Sequence, residues 1–81
     1  MTSAIAAKLI DALEAAAGRE AGGQTALVSV TIDMLSADAE TSAEAKLVRK
    51  TRTLVFMSAE ARSASGERVA TASSVHKVLS A

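Results

Sequence analysis

The chain divides into one helix-forming segment and a longer remainder whose sequence is typical of β-strands. Within residues 4–18, apolar side chains recur at the spacing of one helix face, namely Ile5, Leu9, Ala12, Leu13 and Ala16. No proline interrupts this segment, and Gly18 is the predicted end of the helix. Because the sequence after Gly23 alternates as strands do, a single helix must cover the apolar face of a whole sheet.

Four segments after the glycines show strand-like alternation, and we place the strands at residues 25–35, 42–50, 54–62 and 68–79. Residues 42–50 have a composition that also suits a helix, but their neighbours need a pairing partner. The connections are short and include a loop at residues 36–41 and a glycine-containing hairpin at residues 63–67, which favours antiparallel pairing. The predicted fold class is α+β, with one N-terminal helix packed against a four-stranded antiparallel sheet.

The first predicted strand begins at Thr25 and ends at Leu35, and it is the most apolar of the four. Strict alternation puts Val28, Val30, Ile32 and Met34 on one face, and Leu27, Ser29, Thr31, Asp33 and Leu35 on the other. Few charged side chains protect this strand, and an unprotected apolar edge favours pairing with a second copy of the chain.

A length of 81 residues suits one domain, residues 1–81, with a small core. Leu9, Leu13, Met34 and Met57 are predicted core residues, but much of the remaining apolar content is alanine, which buries little surface. The sequence has no cysteine, so that disulfides and thiolate metal sites are excluded as a means of stabilisation. We therefore expect at least a homodimer, formed through residues 25–35.

Composition also excludes several classes of function. The net charge is zero and Phe56 is the only aromatic residue, so nothing indicates nucleic-acid binding. The N-terminal helix carries Lys8, Asp11 and Glu14, which makes it too polar for a membrane span or a signal peptide. We expect a cytoplasmic protein that binds neither nucleic acid nor membrane.

The order of these segments resembles the hot-dog-fold acyl-CoA thioesterases of the phenylacetyl-CoA thioesterase type. The segments that carry the resemblance are AIAAKLIDALEAAAG for the central helix, TALVSVTIDML for the next strand, AEAKLVRKTRTLVF for a basic turn between two strands, and SASGERVATASSVHKVL for the last hairpin. The resemblance implies a curved antiparallel sheet wrapped around the helix. It also implies a homodimer formed by pairing the strand that follows the helix.

The chain departs from the family pattern at several places. The family has one or two strands before the helix, which this sequence lacks, so the chain is either naturally short or has its true start upstream. A His-Gly-Gly motif usually opens the helix, and Thr2, Ser3 and Ala4 occupy those positions. Ser36 and Ala37 stand where the family has an Arg-Pro pair, and Thr51 stands where the family has the glycine of its basic turn.

The resemblance implies that Asp11 is the catalytic carboxylate, which in this family acts as general base or nucleophile on the thioester. The alternative is a solvated aspartate on the polar face of the helix. Arg49, Lys50 and Arg52 form a basic cluster suited to the phosphates of coenzyme A. The alternative for these residues is a charged turn that keeps a sheet edge soluble. Coenzyme A enters only as part of the substrate, and no other cofactor is implied.

His76 is the only histidine, so a metal site is not indicated, and it is predicted to be a structural or surface residue. Ser73 and Ser74 lie nearby, but adjacent residues of a strand point to opposite faces, which gives little support to a serine–histidine nucleophile pair. Two functions follow from the sequence. One is hydrolysis or binding of an acyl-CoA thioester, and the other is a non-catalytic hot-dog protein acting as a ligand-binding module or a structural subunit.

Overall fold

A computed structural model describes residues 2–36 and 42–79. One helix, α1 (Thr2–Ala21), is followed by four strands: β1 (Thr25–Met34), β2 (Ser42–Lys50), β3 (Leu54–Arg62) and β4 (Arg68–Val78). The strands form one antiparallel sheet in the order β1-β4-β3-β2, so that β1 and β2 are its two edges. Helix α1 packs on one face of the sheet. The predicted order of elements and fold class are confirmed, including the strand at residues 42–50.

Helix α1 is longer than predicted, since it begins at Thr2 and continues through Gly18 to Ala21. The residue that ends it is Gly22, whose φ of 72° lies in the left-handed region. The backbone N–H groups of Gly22 and Gly23 both donate to the carbonyl oxygen of Gly18, at 3.0 and 3.2 Å. This is the hydrogen-bond pattern of a glycine C-cap. The prediction that the helix ends at Gly18 is therefore wrong, because the turn requires glycine four residues later.

The core between α1 and the sheet is rich in alanine. The only large side chains that α1 contributes among the described residues are Ile5, Leu9 and Leu13, and the last two are fully buried as predicted. The sheet presents rows of residues paired across its strands, for example Ile32–Ala72–Ala59–Ala45 and Val30–Ser74–Met57–Leu47. Small side chains in facing positions allow a helix to lie close to the sheet, and the few larger residues then carry most of the buried area.

The two predicted methionine positions have different outcomes. Met57 on the central strand β3 is buried, as predicted, because strands flank it on both sides and α1 covers it. Met34 is 39% exposed, so the prediction that it fills the core is wrong. It lies at the end of β1, an edge strand with no neighbour on its outer side.

The register of the sheet shifts at three valines. Val28 has no partner on β4, Val48 has none on β3, and Val69 has none on β3, since their strand neighbours pair without them. Each is an extra residue in a β-bulge, which changes the face to which the following side chains point. The bulge at Val28 overturns the predicted faces of β1, because Leu27 pairs with His76 on the same side as Val30 and Ile32. Val28 itself is 59% exposed.

The connection between β3 and β4 is a hairpin. In the link from β3 to β4, Gly66 takes a φ of 89°, and its N–H donates to the carbonyl oxygen of Ser63 at 2.9 Å. The predicted glycine hairpin at residues 63–67 is thus observed. Of the predicted loop at residues 36–41, only Ser36 belongs to the described residues; Ala37 lies outside them.

The described part of the chain contains no helix with the length and apolar character needed to cross a membrane.

Candidate functional site

Asp11 lies on the side of α1 that faces away from the sheet. It is two residues from both Leu9 and Leu13, which corresponds to a rotation of about 200° around the helix axis. Since both leucines are fully buried against the sheet, Asp11 is exposed. In this structure of a single chain, the carboxylate is therefore open to water. A base that activates water in a partly dry cleft needs a further surface to cover this side of α1.

The predicted basic cluster is divided between the two faces of the sheet. Lys50 pairs with the buried Val55 and so lies on the face covered by α1, whereas Arg49 pairs with Phe56 on the outer face. Adjacent residues of a strand point to opposite faces, and the bulge at Val48 decides which of the two faces α1, because without it Arg49 would take the place opposite Val55. The sequence places the two cations next to each other, but the fold directs them to opposite sides.

Lys50 has a structural contact. Its Nζ donates to the backbone carbonyl oxygen of Glu20 at 2.6 Å. This carbonyl is in the last turn of α1, where backbone oxygens lack helical partners and a positive charge is favourable. Lys50 therefore stabilises the C-terminal end of α1 and fixes the end of β2 beside it.

Arg49 and Arg52 remain exposed beside the turn between β2 and β3. The guanidinium carbon of Arg49 lies 6.0 Å from the centre of the Phe56 ring, at the outer limit of a cation–π contact. Thr51 closes the turn: its N–H donates to the carbonyl oxygen of Leu54 at 2.8 Å, and its hydroxyl oxygen accepts from the Leu54 N–H at 3.0 Å. The turn thus presents two arginines on a hydrogen-bonded frame.

The candidate carboxylate and the candidate cations do not form one compact site. Lys50 marks the position of the basic turn beside Glu20, which is nine residues after Asp11. At 1.5 Å per residue, this corresponds to about 14 Å along the helix axis. A small substrate would not span this distance.

The structure also contains a polar pair whose burial the sequence did not indicate. Ser74 Oγ and His76 Nε2 lie 2.7 Å apart on the face of β4 that α1 covers. Ser74 is 4% exposed and His76 is fully buried, while Nδ1 of His76 has no hydrogen-bond partner among the described residues. Burial lowers the pKa of His76 from its ordinary 6.5, and the negative charge of Glu14 partly opposes this effect. The prediction of a structural histidine is consistent with this position, which is closed to a substrate.

Two shallow grooves lie on the outer face of the sheet, with volumes of about 230 and 210 Å³. Only strand residues line them; they include Glu44, Lys46 and Glu60 in the first groove, and Ser29, Thr31 and Phe56 in the second. Neither groove includes Asp11 or Arg52. Residues 2–36 and 42–79 contain no group of three histidine, cysteine, aspartate or glutamate side chains that could hold a metal ion.

No protein-family model and no curated protein matches the chain. Among solved structures, the BH2602 protein from Bacillus halodurans, crystallised with CoA, gives a TM-score of 0.79 at 20% identity, over 88% of this chain and 53% of that one. A protein described as from the thioesterase superfamily gives a TM-score of 0.61 at 12% identity, over 75% of this chain and 48% of that one. The chain spans about half the length of these two solved chains. It therefore has the predicted hot-dog-like fold, which it shares with a protein crystallised with CoA and with a protein of the thioesterase superfamily.

Proposed function

We propose that this chain binds an acyl-CoA thioester. The observation that carries the proposal is the likeness of fold, over 88% of the chain, to a protein whose crystal structure contains CoA. The exposed Arg49 and Arg52 are suited to the phosphates, since arginine binds phosphate oxygens through two parallel hydrogen bonds. Lys50 adds a third positive charge, although it also holds the end of α1.

Calorimetry with free coenzyme A tests the binding proposal. We expect the parent protein to bind coenzyme A, and we expect added salt to weaken binding because the contacts are between exposed charges. Changing both Arg49 and Arg52 to glutamine should weaken binding, whereas changing Arg62 and Arg68 to glutamine, at the far ends of β3 and β4, should leave it unchanged. The absence of binding by the parent protein, or an equal effect of both double variants, would contradict the assignment.

The proposed chemistry is hydrolysis of the thioester by Asp11. Its carboxylate would act as general base toward water or as nucleophile toward the thioester carbonyl. Replacing Asp11 by asparagine keeps the size of the side chain but removes the charge. We expect hydrolysis across a panel of acyl-CoA substrates to fall by 10²-fold or more, in line with typical losses of a positioned base, while coenzyme A affinity is retained. The matched control is Glu67→Gln, which removes an acidic group from the β3–β4 hairpin, on the opposite layer of the protomer.

We also propose that two copies associate through β1, which would join two sheets into one. In support of this, β1 is an edge strand with ten residues, and Asp33 is its single charged residue. Val28 and Met34 add exposed apolar surface at this edge. A second copy related by two-fold symmetry satisfies the free backbone groups of such an edge without open-ended growth. Light scattering is expected to show a dimer at micromolar concentration, and a stable, folded monomer would contradict this.

The second candidate function is a non-catalytic hot-dog protein that binds a ligand or serves as a structural subunit. Thr2, Ser3 and Ala4 stand where the thioesterases it resembles have His-Gly-Gly, and the exposure of Asp11 also favours this candidate. Glycine backbone N–H groups at such a position would stabilise a developing oxyanion. Binding of coenzyme A without turnover of any acyl-CoA would favour the ligand-binding module, and neither binding nor turnover would favour the structural subunit.

A further inference from the structure

We propose that His76 is an acid-sensitive latch: the neutral side chain keeps α1 on the sheet, and its protonation releases the helix. The interface between α1 and the sheet contains this fully buried imidazole, and the proposed function does not use that interface directly.

The surroundings of His76 accept a neutral ring far better than a charged one. Its cross-strand neighbours are apolar, Leu27 on β1 and Val55 on β3. Ser74 Oγ lies 2.7 Å from Nε2 and provides one hydrogen bond in either tautomer. A protonated ring would need a second acceptor for Nδ1–H, and no described residue provides one. A buried charge with an unpaired N–H group strongly disfavours the closed interface.

The charged groups on the elements around His76 do not remove this penalty. Glu14 on α1 favours the protonated ring, but its effect is smaller than that of burial. On β2, Lys50 lies in the same cross-strand row beyond Val55, and a like charge at this position does not favour protonation. Lys77 on β4 is exposed and, as the residue next to His76, points to the other face. On β1, the charged residue of the strand is Asp33, six positions beyond Leu27.

Helix α1 is the element that protonation would displace. The four strands hold one another through three hydrogen-bonded ladders. Helix α1, by contrast, is held by side-chain packing, by the contact of Lys50 with Glu20, and by a turn at Gly22 and Gly23. An element held in this way can open while the rest of the fold stays intact. Because α1 carries Asp11, opening would also remove the candidate base from its position; this last consequence rests on the proposed function, whereas the latch itself does not.

The direction of the pH dependence follows from linkage. The folded-state pKa of His76 lies below 6.5, so the unfolded or open state takes up the proton first as the pH falls. The stabilising effect of the closed interface is therefore complete above pH 6.5 and is lost as the pH falls from 6.5 towards the folded-state pKa. Within this window the closing equilibrium constant falls by up to about tenfold per pH unit, since one proton is involved.

Proton NMR can follow His76 without assignment, because the untagged chain has a single histidine. We expect its titration midpoint to lie below 6.5 in the folded protein and to return to about 6.5 in urea. Glu14→Gln should lower the midpoint further, whereas the matched Glu20→Gln should not. A folded-state midpoint at or above 6.5 would overturn the proposal.

Hydrogen exchange between pH 7.5 and 5.5 tests the release of α1. After correction for intrinsic exchange rates, we expect the amides of α1 to lose protection several-fold more than those of β3 and β4. His76→Gln cannot titrate, so it should not show this difference. If this variant does not fold, Glu14→Gln and Glu20→Gln provide the comparison, and the loss of protection in α1 should be larger in Glu14→Gln. Equal changes in helix and sheet would refute the latch. None of these measurements uses an acyl-CoA, so failure of the latch and failure of the proposed function are distinguishable.

Discussion

Truncation of Leu13 to alanine tests whether one helix holds the sheet in the way described. Leu13 is fully buried, and it is one of the few large side chains in a core that is rich in alanine. The free energy of unfolding should fall by about 2–5 kcal/mol, because the lost transfer energy adds to the cost of the cavity left behind. A domain of this size has a total stability of only about 4–12 kcal/mol. The substitution therefore removes a large share of the stability.

Thermal and urea melts followed by circular dichroism provide the measurement, at one fixed protein concentration because association affects stability. Each kcal/mol shifts Tm by about 4–8 °C in a small domain, so we expect Tm to fall by roughly 8–40 °C. Leu79→Ala is the matched control, since Leu79 is 57% exposed and its truncation should change stability by no more than about 0.5 kcal/mol. Equal melts for Leu13→Ala and the parent would refute the helix-on-sheet packing.

Two further predictions concern the sheet edges. Successive N–H groups of a strand point alternately to its two neighbours, so one of the variants Val30→Pro and Thr31→Pro should remove a hydrogen bond to β4 and destabilise the fold. The other should block the free edge of β1 and leave a folded monomer. Light scattering combined with melts distinguishes the two variants, and a dimer in both folded variants would contradict pairing through β1. At the other edge, Lys50→Gln should lower the stability of the C-terminal end of α1 by about 0.3–1 kcal/mol, while Lys46→Gln on the outer face should not, as judged by urea melts at low salt.

The positions of the elements could be predicted because each has a local signal. The predicted strands at residues 42–50 and 54–62 agree with the observed bounds of β2 and β3, and the other two strands extend one residue less than predicted. Alternation defines a strand, and glycine or short polar residues define its ends. For residues 42–50, where composition also suits a helix, the need of neighbouring strands for a partner decided the assignment.

The bulges could not be predicted because they leave no local signal. Val28, Val48 and Val69 are β-branched residues within strand-like sequence, and nothing in their neighbourhood distinguishes them from paired residues. They decide which side chains face the helix, so the faces of Leu27 and Lys50 could not be read from strict alternation. The helix end illustrates a different limit. Gly18 and Gly22 could each end the helix by sequence, and the left-handed φ of Gly22 identifies it as the cap.

The pairing of Ser74 with His76 follows from a rule that the sequence does contain, since residues two apart on a strand share a face. The sequence does not show that α1 packs over Ser74 and His76 and so buries a pair that would otherwise lie at the surface of the sheet. The two-residue spacing is the signal that indicates the contact. The burial, and with it the lowered pKa of His76, depends on packing between elements far apart in the chain.

The layer structure determines how Asp11 and Arg49 could serve one ligand. Asp11 lies on the outer side of the helix layer and Arg49 on the outer side of the sheet layer, so they face away from each other in one protomer. If both act on the same acyl-CoA, we expect them to come from different protomers of the proposed dimer. Mixing Asp11→Asn protein with Arg49→Gln protein then produces heterodimers with one intact site, and at low substrate concentration activity should recover to about a quarter of the parent value. No recovery, with subunit exchange verified by mass spectrometry, would contradict a site shared between protomers.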